Sequence, residues 1–84
     1  MMINVSIMNE GVEVELPSGA KMFIPYSAIN AVVLSQDKNQ VSINDQKGTL
    51  VWLNQNKSTL FLDGEPASPE VIFEAIVEQI NNVE

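Results

Sequence analysis

The sequence predicts an α+β domain: an antiparallel β-meander or roll of about seven short strands, closed by one C-terminal amphipathic helix. Three observations carry this. Over residues 2–62, short apolar stretches alternate with turn residues at intervals of about eight to ten residues. After them, Ser68-Pro69-Glu70 places an N-cap hydroxyl, a proline at the first helical position and a carboxylate at the positive end of a helix dipole. Finally, 84 residues that are 45% hydrophobic and 18% charged suffice for one buried core and not for two, so residues 1–84 read as one globular domain.

Ile3, Val5 and Ile7 alternate with Asn4 and Ser6 in a first strand, and Asn9-Glu10-Gly11 turns the chain. Val12, Val14 and Leu16 alternate with Glu13 and Glu15, which predicts a half-buried strand with an acidic solvated face. Pro17-Ser18-Gly19-Ala20 is a tight turn, because proline presets a negative φ and glycine admits a positive one. Lys21 to Ile24 pairs back, and Pro25 interrupts the ladder because it has no N–H to donate. Ile29 plugs the core after this corner. Ala31-Val32-Val33-Leu34, Val41-Ser42-Ile43-Asn44, Thr49-Leu50-Val51-Trp52-Leu53 and Ser58-Thr59-Leu60-Phe61-Leu62 are the remaining strands, separated by turns at Asp37-Lys38-Asn39, Asp45 to Gly48 and Asn54 to Lys57. Trp52 and Phe61, lying in the most apolar strands, are expected in the core. The helix is expected from about Pro69 to Asn81.

Strands closed by one terminal helix resemble the pleckstrin-homology-like superfold of small bacterial and phage domains. The stretch from Phe23 through Pro25-Tyr26-Ser27 to Val32 is similar to the strand, corner and strand of those domains, and Pro69 to Ile80 to their closing helix. The resemblance covers nearly the whole chain and implies that architecture. It does not bring phosphoinositide binding with it, since the position of the family's basic pocket falls near Asn9-Glu10-Gly11, which is acidic.

Composition narrows the chemistry. The chain has no histidine and no cysteine, so the usual bases, nucleophiles and thiolate ligands are missing, and no catalytic residue and no cofactor is assigned. Glu13 and Glu15 fall on one strand face about 7 Å apart, and Asp37, Asp45 and Asp63 sit in separate turns where aspartate bonds its own backbone. Glu13 and Glu15, which could in principle pair as a general acid and base or on a metal, read as an exposed sheet edge, and Asp37 to Val41 lacks the ligand spacing and central glycine of a calcium loop, so no metal ligand is assigned. Net charge is −7, and arginine is absent, which argues against direct binding to nucleic acid or an anionic membrane. The lack of cysteine, of a leader-like N-terminus and of a long apolar run points to the cytoplasm as the expected location.

What remains is interaction. Glu70, Glu74 and Glu78 recur every four residues and form an acidic stripe along the helix without a lysine partner at helical spacing. Val71 and Ala75 on one border and Val77 on the other extend the apolar face beyond what packing on one sheet needs. Tyr26, beside the corner proline, is expected to be partly exposed as an interface anchor. The expected function is a non-enzymatic protein-interaction module that self-associates or serves as a small accessory subunit. The alternatives are a phage or mobile-element inhibitor presenting an acidic surface to a host nucleic-acid-binding or defence protein, and a protein that sequesters a small molecule between copies.

Overall fold

The computed structural model describes residues 1–82. Strands β1 (Met2–Ile7), β2 (Gly11–Glu15) and β3 (Lys21–Pro25) form an antiparallel meander, and Tyr26–Ala28 makes a single 3-10 turn. Strands β4 (Ala31–Leu34), β5 (Gln40–Asp45) and β6 (Gly48–Asn54) form a second one. Strand β7 (Thr59–Leu62), the two-residue β8 (Glu65–Pro66) and helix α1 (Pro69–Asn82) complete the chain. The α+β class and the closing helix are those expected from the sequence. The helix starts where the cap places it: the Ser68 hydroxyl accepts from Val71 N–H at 3.3 Å, and the Ser68 carbonyl from Ile72 N–H at 3.1 Å.

The eight strands divide into two sheets, in the orders β3-β2-β1-β7-β8 and β4-β5-β6. One junction departs from the antiparallel pattern: β7 runs parallel to β1, Ile3 opposite Leu60 and Val5 opposite Leu62. Period-two alternation tells which side chains face inward but not which strand lies alongside, so this pairing has no local signature. Hydrogen bonds between β1 and the following turn hold it. The Asp63 carboxylate accepts from Ile7 N–H at 3.0 Å, Asp63 N–H donates to the Val5 carbonyl at 2.8 Å, and the Asn4 side-chain oxygen accepts from Gly64 N–H at 3.0 Å. Asp63 adopts φ 52°, a left-handed conformation that aspartate tolerates better than most residues.

One core lies between the two sheets and the helix. Ile3, Val5, Val12, Val14, Ile24 and Leu60 come from the five-stranded sheet, Val41, Ile43, Val51 and Leu53 from the three-stranded one, and Ile72 and Ile76 from α1, which packs chiefly on β4 and β5. Ile29 packs against its margin, as expected. Gly11 is required where β2 crosses β3: a Cβ there would collide with the Ile24 carbonyl oxygen and lie 2.9 Å from Pro25 Cα.

Three sequence expectations are corrected here. Tyr26 is not a surface anchor; it is 7% exposed, because the 3-10 turn folds its ring under β2, where its hydroxyl donates to the Met8 carbonyl at 2.7 Å. Trp52 is not in the core; it is 64% exposed, because Val51 and Leu53 take the inward positions of β6. Nor is Phe61 in the core: it is half-buried on the outward side of β7, because its neighbour Leu60 takes the inward position.

Candidate functional site: the outer face of the three-stranded sheet

The strand register places Val33, Ser42 and Trp52 side by side across β4, β5 and β6. Opposite residues share a face, and the face that carries these three is the one turned away from the core, since Ile43, Val51 and Leu53 point inward. Ala31 and Asn44 form a neighbouring row, Gln40 and Asn54 another, the last joined by a 3.1 Å bond from the Asn54 amide to Gln40. Between Ile43 and Asn44 the ladder slips by one residue, and the extra residue on β6 is Leu50. A bulge of this kind bends its strand and re-aims the side chain at it.

The resulting surface is unusual for an acidic chain. Val33 is 47% exposed and Leu50 36%, and with Trp52 they flank a polar strip of Gln40, Ser42 and Asn44 on the middle strand. Across all three strands the sole charged residue is Asp45, at the end of β5, where its carboxylate is occupied in accepting from Lys47 and Gly48 N–H at 2.8 and 3.1 Å. Ser42 is only 8% exposed although it faces outward, being covered by its neighbours, and Asn44 Oδ1 is buried without a hydrogen-bond partner. An acceptor left in that state costs about 1–3 kcal/mol.

The helix residues expected as contacts lie on another side. Glu74 and Glu78 are exposed, as a stripe requires, whereas Glu70 is half-buried and paired at 3.2 Å with Lys38, a residue of the β4–β5 turn. That turn is ordered by Asp37, whose carboxylate accepts from Asn39 N–H at 3.0 Å and from the Ser35 hydroxyl at 2.7 Å; these bonds, the Asn39 one foremost, hold its carboxyl below the usual aspartate value. Val71 is exposed, while Ala75 and Val77 are half-buried, so the apolar border is continuous on neither side. Tyr26 joins none of these residues. A shallow apolar groove of about 540 Å³ lies elsewhere again, on the outer side of the five-stranded sheet between Met1, Met2, Leu16 and Phe61, with Glu15 at its wall.

Among the described residues no three acidic side chains come close enough together to hold a metal ion, and no helix is long and apolar enough to cross a membrane. Trp52, Val33 and Leu50 were missed from sequence because their strands are apolar on both faces, which erases the alternation that assigns sides. The readable signal was a different one: one charged residue in three consecutive strands of a chain with fifteen, namely four lysines and eleven acids. Comparison of the chain with family models, with curated proteins and with solved structures finds no match.

Proposed function

We propose that this chain is a non-enzymatic protein-interaction module whose contact surface is the outer face of the β4-β5-β6 sheet, with Trp52 as its most exposed apolar residue. A single observation carries the reading: a tryptophan 64% exposed on the edge strand β6 of a face whose only strand charge sits at its rim. Surfaces kept in water are normally studded with charge, and contact surfaces are depleted of it at their centres and enriched in aromatic residues. Tryptophan is the residue type most often found to dominate a contact. The absence of histidine and cysteine supports a role in binding over one in chemistry.

The test is a photo-crosslinking amino acid, benzoylphenylalanine, at position 52, irradiated in an extract of the cells that make the protein. A discrete protein adduct at position 52, absent when the same group replaces exposed Glu78, is the expected result. Adducts of equal yield at both positions, or at neither, would sink the proposal. The exposed pair Glu74 and Glu78 supports a second reading, an acidic surface for a basic partner; in that case the adduct forms at position 78 and is lost in high salt.

A further inference from the structure

We infer that the partner on the Trp52 face is a second copy of this chain, the two three-stranded sheets stacking face to face across a two-fold axis. This rests on the reading of that face as the contact surface and adds the identity of its occupant. A two-fold contact sets each surface against its own image. For a chain of net charge −7 that condition is severe. The outer side of the five-stranded sheet would set Glu13 and Glu15 against themselves, and the helix would do the same with Glu74 and Glu78. Among these faces of the described residues, the Trp52 face meets its image without opposing carboxylates, because the one acid in its strands, Asp45, lies at the rim.

The chemistry is complementary as well. Val33, Leu50 and Trp52 supply apolar area that a second copy would cover with its own Val33, Leu50 and Trp52. Pairing edge to edge along β6 is the poorer geometry, since the bulge at Leu50 interrupts that edge and leaves the indole uncovered. Three strands spaced ~4.8 Å and about six residues long present a footprint of roughly 300 Å² per copy. That is well under the ~800 Å² per partner of a standard stable interface. The association is therefore weak and concentration-dependent.

Trp52 is the sole tryptophan, so its emission reports on this face alone. The experiment is sedimentation velocity on the whole chain from ~10 µM to ~1 mM, with tryptophan emission recorded over the same series. The expected result is a mass that doubles across the series, with emission shifting to the blue in step. A Trp52→Lys chain loses the mass increase and keeps its thermal midpoint, and a Val71→Lys control retains both. A monomer with red emission at the highest concentration overturns the inference. So does a doubling with emission unchanged, which would put the contact elsewhere. If Trp52→Lys fails to fold, Val33→Lys, on the same face, replaces it, and the wild-type emission series still decides. A chain that stays monomeric yet gives the position-52 crosslink to another protein loses the second copy and keeps the interaction surface; one that does neither loses both.

Discussion

Tyr26 shows how one side chain is placed by several weak constraints. Pro25 ends β3 in an extended conformation, the 3-10 turn swings the ring inward, and the hydroxyl finds the Met8 carbonyl, while Tyr26 N–H donates to the Glu10 carbonyl at 3.1 Å. Burial, and after it the nearby Asp63 carboxylate, pushes the phenol above its ordinary value of 10.0. The folded state therefore holds this proton more tightly than the unfolded chain does. The stability this contributes is fully present below pH ~10 and is lost as pH rises through the folded-state value. Tyr26→Phe is expected to cost about 1 kcal/mol at neutral pH for the lost hydrogen bond and to flatten the decline of the thermal midpoint from pH ~10 upward. Melting curves of both chains across that range check it; parallel curves would show that Tyr26 does not titrate in the transition. Nothing in the local sequence distinguishes this tyrosine from an exposed one at a corner, since its burial depends on Met8, eighteen residues earlier in the chain.

At the scale of elements, the helix was the most legible part of the molecule. Ser68, Pro69 and Glu70 mark its start, and the observed span Pro69–Asn82 begins there. Replacing Ser68 by Ala removes the cap on Val71 N–H and is expected to cost about 1 kcal/mol, or roughly 4–8 °C in thermal midpoint for a domain of this size. Calorimetry of the two chains measures it, and an unchanged midpoint would mean that Pro69 and core packing alone set the helix start. Strands β1 and β2 were legible for the same kind of reason, as Asn4, Ser6, Glu13 and Glu15 break the apolar run at every second residue. In β4 and β6 that interruption is missing, and the inward or outward sense of Trp52 was lost with it. Its sense is set by β5, where Val41 and Ile43 are fully buried and their partners Leu53 and Val51 must therefore face the core. The candidate site is thus a consequence of register between strands, which no single strand encodes.

For the whole molecule, the distribution of charge matters more than its total. Residues 46–62 contain two lysines and no acid, so the other residues carry a net −9 against the whole chain's −7. Two copies meeting on the Trp52 face still feel this long-range repulsion, which salt screens with a Debye length of ~10 Å at 0.1 M. Raising salt from about 0.05 to 0.5 M is expected to tighten the self-association several-fold, the opposite of what contact through Glu74 and Glu78 with a basic protein would show. Sedimentation at the two salt levels tests the sign. The parallel junction of β1 and β7 has a kinetic consequence. It joins Met2 to Thr59 and Val5 to Leu62, so the five-stranded sheet cannot close until nearly the whole chain is available, whereas β4, β5 and β6 are joined by local turns. Loop-closure entropy falls on the β1–β7 junction and hardly on the two meanders. Each three-stranded meander, β1-β2-β3 and then β4-β5-β6, is thus a unit that a growing chain can assemble through local turns, and the Trp52 face is complete before β7 docks beside the N-terminal strand.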